Sequence, residues 1–417
     1  MAAHSAENLP PRLDVLVAGA GYVGLAIAVS IKSARPGLSI AVIDAAPRDA
    51  WRRDPRASAI AAAACRMLET LGCWPSILPH AQPINDMIVT DSRTNDPVRP
   101  VFLTFEGAGD AGRRPGEPFA HMVPNVAMNA ALREKAAGLG VTIFDGVAVS
   151  TFANDGAVTR VSTSSGDIAA RLLVAADGVR SRLRDAAGIK TVVFDYGQSG
   201  IVCTVAHERP HNGRAEEHFL PAGPFAILPL PGNRSSLVWT EKTADAERLV
   251  AADPLVFEAE LERRFGLKLG ELRVEDKPRA FPLGLTLARA FVAPRLALAG
   301  DAAHGIHPIS GQGLNLGFKD AAALAETVVE ADRLGEDIGA LDVLERYERW
   351  RRFDTVRMGI TTDVLNRLFS NDIGPLRLLR DTGLGMVDRL PALKRFFIGQ
   401  ASGLSAESPR LLRGEAI

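Results

Sequence analysis

The chain has 417 residues, 47% of them apolar and 23% charged, which fits an ordinary folded protein of two to three domains. A formal net charge of −1 supplies no field that would recruit nucleic acid, so nucleic-acid binding is excluded as a primary role. Three cysteines, Cys65, Cys73 and Cys203, are too few and too far apart for a disulfide framework or a thiolate metal site, and read as reduced, buried side chains.

The first eleven residues read as a leader without the basic and apolar blocks of a signal peptide. From Asp14 to Ala18 an apolar run suits a strand buried in a parallel sheet, Gly24–Ala34 reads as a helix, and a second strand runs from Ser39 to Ala45. This βαβ unit accounts for the apolar stretch Val15–Ile31, whose three glycines and 17-residue length argue against a membrane span. Helical periodicity fades between Asn85 and Gly116 and returns near Val123–Leu139. RLLVAADG (Arg171–Gly178) reads as another buried strand, and Thr191–Pro282 as a mainly antiparallel layer. RLALAGDAAHG (Arg295–Gly305) returns to parallel-sheet style, followed by a helix with an apolar stripe at Leu314, Gly317, Ala321, Leu324 and Val328. The chain from about Asp342 reads as helical, with 13 basic and 10 acidic residues, a difference of +3.

Three motifs carry the chemistry. Gly19-Ala20-Gly21-Tyr22-Val23-Gly24 lies between strand and helix, where glycines allow a tight turn and close approach of a pyrophosphate to a helix N-terminus. Asp44, 20 residues after Gly24 at the end of the next strand, is placed to accept ribose hydroxyls. Asp177-Gly178 follows a second strand, with Arg180 and Arg182 read evenly as solvated cations or nicotinamide contacts. Gly300-Asp301 follows a third and leads through Pro308 to Gly311-Gln312-Gly313-Leu314-Asn315 at a helix start, where free N–H groups and the dipole favour an anion. His304 and His307 lack the partners of a metal site, and no metal is expected. Trp74, Trp239 and Trp350 read as packing residues.

These motifs, in this order and spacing, resemble the class A flavoprotein monooxygenases, and HPISGQGLNLGFKD resembles the ubiquinone-biosynthesis hydroxylases of UbiH/UbiF type. RASAIAAAACRMLETLGCW, EHFLPAGPFAILPLPGNRSSLVWT and LKRFFIGQASG extend the resemblance over nearly the whole chain. The resemblance implies an α/β fold like that of para-hydroxybenzoate hydroxylase: a Rossmann-type FAD domain, an inserted antiparallel-sheet substrate domain and a helical C-terminus. On that plan residues 12–84, 117–190 and 281–340 form the FAD domain, 85–116 and 191–280 the substrate domain, and 341–417 the helical end.

It further implies that Gly19, Gly21, Gly24 and Asp44 hold the ADP half of FAD and that Arg56 lies near flavin and pyrophosphate. Asn125, Asp177, Gly178 and Gly300 join the cofactor site, and Asp301 binds the ribityl chain. Pro308, Gly311, Gln312, Gly313, Leu314 and Asn315 border the ring, with Pro308, Gly311 and Gln312 at the reacting edge. Pro124, Val126 and Ser310 depart from the family pattern, which leaves the hydroxylated ring position open. The implied reaction uses NAD(P)H and O2 to hydroxylate a phenolic, polyprenylated ring, at the cytoplasmic face of a membrane and in the company of a quinone-synthesis complex. A flavin oxidoreductase acting on isoprenoid or other aromatic substrates, and a non-catalytic flavoprotein of that complex, remain as alternatives. A halogenase is disfavoured, because the four tryptophans form no Trp-x-Trp pair.

Overall fold

The computed structural model describes residues 9–91, 101–105, 114, 116–305, 312–353, 355 and 408–417. Its first layer grows from the parallel strands Arg12–Ala18, Ile40–Asp44 and Thr142–Asp145 on one side and Gly166–Ala175 and Leu296–Leu298 on the other. The central strands are almost continuously apolar, as a sheet covered on both faces requires, with Val15, Leu16 and Val17 wholly buried. Helix Tyr22–Ala34 covers one face together with helix Gln312–Arg333.

The stripe Leu314, Gly317, Ala321, Leu324 and Val328 of that second helix packs into the core as read, and burial extends beyond it, with residues 320–329 buried without a break. The helix can approach helix Tyr22–Ala34 closely because a β-carbon on Gly317 would lie 2.5 Å from Val23 Cγ2. Residues 149–155 and 158–163, whose pairing was not foreseen, form a meander with strand Gly166–Ala175.

The second layer is a nine-stranded sheet among the described residues, built on the long strand Thr191–His207 and strands Arg214–Leu220, Gly223–Leu230, Arg234–Lys242 and Arg279–Ala288. It is mainly antiparallel as expected. Strand Asp86–Asp91 nevertheless runs parallel to Arg214–Leu220, a distant pairing that no local pattern encodes. Helices Thr243–Val250 and Pro254–Phe265, absent from the sequence reading, cover one face through Leu249, Phe257, Leu261 and Phe265, which pack on Phe225 and Trp239. A small third sheet, Ala57–Ala61, Ala120–Pro124 and Gln82–Ile84, bridges the layers, with Phe119 and Met122 packed among Ala215 and Leu230. Cys65, Cys73 and Cys203 are free thiols. No helix among the described residues is long and apolar enough to cross a membrane.

Candidate functional site

The three glycine motifs stand in the sequence at residues 19, 178 and 300, yet their turns are neighbours. Strand Gly166–Ala175 lies between Arg12–Ala18 and Leu296–Leu298, so all three turns leave the same carboxyl edge of the sheet. Ala176 N–H donates to Ala18 O at 2.8 Å and Ala299 N–H to Ala175 O at 2.9 Å, which locks the edge together. Ligands of open α/β sheets collect at this edge.

The glycines of the first motif have different duties. A β-carbon on Gly19 would stand 2.1 Å from Ala176 O, and one on Gly24 2.0 Å from Gly19 O; both are needed for the turn to close. A β-carbon on Gly21 would meet nothing within 4 Å. Its face opens on a cavity of about 470 Å³ at the start of helix Tyr22–Ala34. Asp44 sits on the cavity wall, where its carboxylate accepts Ala20 N–H at 2.6 Å and Ala46 N–H at 2.7 Å. The opposite wall comes from the nine-stranded sheet through Val202, Thr204, Arg279 and Phe281, with Lys277 from the connection just before strand Arg279–Ala288.

Arg56 reaches this cavity through a bidentate pair with Asp54, 2.8 Å at both contacts. Asp54 also accepts Asn125 Nδ2 at 2.9 Å and Tyr22 Oη at 3.3 Å, while Ser58 Oγ donates to Asn125 Oδ1 at 2.8 Å. Burial would raise the Asp54 carboxyl, but the Arg56 fork and the Asn125 amide outweigh it and hold its pKa below the usual range. Asn125 is therefore a brace behind Arg56. The Asp301 carboxyl stands open to the groove, whose walls still desolvate it enough to push its pKa upward against the pull of His304 and Arg56.

Behind Asp301 lies a buried charge cluster. Asp320 accepts His304 Nε2 at 2.5 Å, Arg351 Nε at 2.8 Å and Gly300 N–H at 2.9 Å. Burial would raise Asp320, yet the His304 and Arg351 charges hold it below its ordinary value. His304 is thus an acid's partner in the core.

Two expected residues have structural work of their own. Asp177 Oδ2 accepts Arg182 N–H at 3.0 Å and so supports the cap of the short helix Arg182–Ala186, whose N-cap Ser181 accepts Arg184 N–H at 3.1 Å, with Gly178 in the turn beside it. Arg180 and Arg182 are exposed. Asn315 donates to Ala59 O and accepts Ala61 N–H, both at 2.9 Å, and ties the start of helix Gln312–Arg333 to the bridging sheet. A β-carbon on Gly313 would meet nothing within 4 Å, and Leu314 is partly buried against the core. Pro308 and Gly311 lie outside the described residues, as does the side chain of Gln312.

Sequence reasoning missed four residues. Asn129 and Arg133 line the cavity, with Arg133 forked onto Asp145 at 2.8 and 3.0 Å. Their signal was available: Asn125, Asn129 and Arg133 repeat at i, i+4, i+8 on one helix face. Trp51 lines the cavity too, under the guanidinium of Arg52 at 4.6 Å. Arg184, in the buried shell, donates to Val179 O and Ala302 O and staples the second motif to the third.

The residues fit an extended dinucleotide: a cradle at Gly21 that a side chain would fill, an acid at Asp44 on the cavity wall and another, Asp301, at the third turn of the same sheet edge, and Arg56, Lys277 and Arg279 among the cations of the lining. Residues 12–353 match the family described as an FAD binding domain. The chain is 45% identical to ubiquinone hydroxylase UbiL of Rhodospirillum rubrum over 96% of this chain and 92% of that one. It is also 33% identical to 3-demethoxyubiquinol 3-hydroxylase of Escherichia coli, over 94% and 98%. The chain belongs to the FAD-dependent ubiquinone-biosynthesis hydroxylases. The p-nitrophenol 4-monooxygenase PnpA of Pseudomonas putida shares the fold, with a TM-score of 0.76 at 20% identity over 93% of this chain and 97% of that one. Membership makes this chain an FAD-dependent monooxygenase, with NAD(P)H as the family's reductant.

Proposed function

We propose that the enzyme hydroxylates a phenolic ring carrying a polyprenyl tail, an intermediate on the way to ubiquinone, with FAD bound along the carboxyl edge of the parallel sheet. The carrying observation is the convergence of the three glycine turns at one carboxyl edge of the sheet, where the first of them opens on a cavity walled on its far side by residues of the second layer. The sequence likeness to ubiquinone hydroxylases supports the substrate class.

In this reading Gly19 and Gly24 close the turn, the N–H groups from Gly21 into the first turn of helix Tyr22–Ala34 meet the pyrophosphate at the positive end of that helix, and Asp44 accepts the adenosine ribose hydroxyls. Arg56, steadied by Asp54 and Asn125, faces the phosphates, and Asp301 accepts the ribityl hydroxyls. Gly300 holds that carboxyl in position through the Asp320 contact, and Asp177 with Gly178 shapes the neighbouring turn. Gly313, Leu314 and Asn315, with Pro308, Gly311 and Gln312, border the isoalloxazine, where the helix start favours negative charge. A bound flavin would supply the hydride-accepting and O2-activating chemistry, with NAD(P)H as reductant. The protein's part is to hold the phenol beside the ring and to exclude water through the apolar packing between the sheets. The division into FAD domain, substrate domain and helical end follows the same plan.

A polyprenyl tail stays in the bilayer, so the reading includes peripheral contact with the cytoplasmic membrane face and association with other quinone-synthesis proteins. Deletion of the coding sequence followed by mass spectrometry of quinone intermediates tests it. A prenylated phenol lacking one ring hydroxyl should accumulate; an unchanged quinone profile contradicts the assignment.

A further inference from the structure

Strand Arg214–Leu220 carries three charged or titratable side chains in a row, Glu216, Glu217 and His218, and the pleat sends them to opposite faces. Glu216 and His218 point to the helix-covered face, opposite Ile227 and Phe225, and pair with each other at 3.3 Å. Glu217 points the other way.

The register fixes what that other way is. Glu217 stands opposite Ala226, Ala226 opposite Val238, and Val238 opposite Val202, so the four share one face. Val202 lines the cofactor cavity. Ala215, two residues before Glu217, packs against Phe119 and Met122 of the bridging sheet, which Asn315 ties to the start of helix Gln312–Arg333. Glu217 thus belongs to the face turned toward the flavin half of the molecule, about 14 Å along the cross-strand row from Val202 at about 4.8 Å per strand.

Glu217 is 6% exposed, and its Oε1 is buried without a hydrogen-bond partner. The flanking row positions, Ala226 and Val89, have nothing to offer it. A buried polar group without a partner costs free energy and calls for a ligand or a reason. Helix-face partners of the kind that satisfy Glu216 are shut off by the sheet itself.

We propose that Glu217 is the residue that recognises the ring oxygen of the phenolic substrate, giving and receiving a hydrogen bond at the face of the sheet that the ring lies against. This rests on the phenol-hydroxylase reading above and adds the group that orients the ring. Burial alone pushes the Glu217 carboxyl up to about 8, so near neutrality it keeps its proton and offers one O–H donor and one carbonyl acceptor. A neutral phenol offers the complementary pair. An aromatic ring without oxygen leaves the carboxyl orphaned, and a site built on a hydrogen bond rejects such analogues strongly. Oriented by Glu217, the ring presents a fixed carbon to the flavin edge.

The test uses the FAD-loaded enzyme with NADH, O2 and a short-chain prenylated phenol, comparing wild type, Glu217→Gln and Glu217→Leu. KM, kcat, hydroxylated product and released hydrogen peroxide are measured together, with flavin content as the fold control. The Leu variant should raise KM at least tenfold and divert most NADH to peroxide at unchanged flavin content. The Gln variant, which keeps a donor and an acceptor, should restore KM to within threefold. A Leu variant with wild-type KM and coupling overturns the role of Glu217 while leaving the phenol reading intact. A wild-type enzyme whose NADH oxidation ignores the phenol overturns the phenol reading itself, and the Glu217 role with it. Should the Leu variant lose flavin, Glu217→Met against Glu217→Gln gives the same comparison, with each outcome read in the same way.

Discussion

Replacing Gly21 and Gly24, one at a time, should separate folding from cofactor binding. At Gly24 the added carbon of an alanine would lie 2.0 Å from Gly19 O and 3.2 Å from Val17 Cγ1, so backbone must move by about 1 Å to reach tolerable contact. The turn cannot yield freely, because Gly19 N–H is bonded to Ile43 O at 2.8 Å and Ala20 N–H to Asp44 at 2.6 Å. Overpacking of this kind costs about 1–3 kcal/mol and more where backbone is displaced, so Gly24→Ala should lose about 3 kcal/mol in the apoprotein. At Gly21 the carbon meets nothing, and φ of −73° with ψ of 175° suits any residue. For Gly21→Ala, loss of a glycine cap and gain of chain stiffness nearly cancel, each below about 1 kcal/mol. Urea unfolding of apoprotein reads the first effect and flavin titration the second. At about 100 times its Kd, FAD should stabilise wild type by about 2.7 kcal/mol, and Gly21→Val, which fills the cradle, should lose that increment. A Gly24→Ala apoprotein as stable as wild type, or a Gly21→Val protein that keeps its flavin, would refute the division of labour.

Asp301→Ala should lower FAD occupancy severalfold while leaving the far-ultraviolet circular dichroism unchanged; full flavin retention contradicts its place beside the ribityl chain. Asp320→Ala removes the acid that Arg351 and His304 share in the core and should cost about 3–5 kcal/mol, the usual effect of removing one member of a buried pair. Because the folded Asp320 pKa is depressed, its contribution is present above the ordinary aspartate value and fades as pH falls through the folded one. The gap between wild type and Asp320→Ala should therefore shrink below about pH 4, and a gap that widens there would contradict the pairing. Glu217 has the opposite sign: its folded pKa is raised, so the stability of wild type relative to Glu217→Gln should fall as pH climbs from about 4.5 toward about 8. A difference flat across that window would show the carboxyl ionised or wet.

The glycine turns were legible because their duties are local: a turn, a strand before it and a helix after it lie close together in the sequence. The bridging sheet was not. Its strand Ala57–Ala61 reads ASAIA, with little intrinsic preference for extension, and is made a strand by Ala120–Pro124 and by the Asn315 clamp 254 positions away. Helices Thr243–Val250 and Pro254–Phe265 were readable in principle from Phe257, Leu261 and Phe265 at i, i+4, i+8, but were hidden among β-rich neighbours. Asp177 and Asn315 show the limit of motif reasoning. Each stands where the family pattern puts it, and each commits hydrogen bonds to a cap or a clamp that no motif announces.

Oxygen insertion by a flavin held across the three turns is the central claim. Incubation of the FAD-loaded enzyme with NAD(P)H, a prenylated phenol and isotopically heavy O2 in ordinary water measures that directly. The product should gain a single heavy oxygen atom, on the ring. A ring oxygen derived from water, or NAD(P)H consumed with the phenol left unhydroxylated, would contradict it.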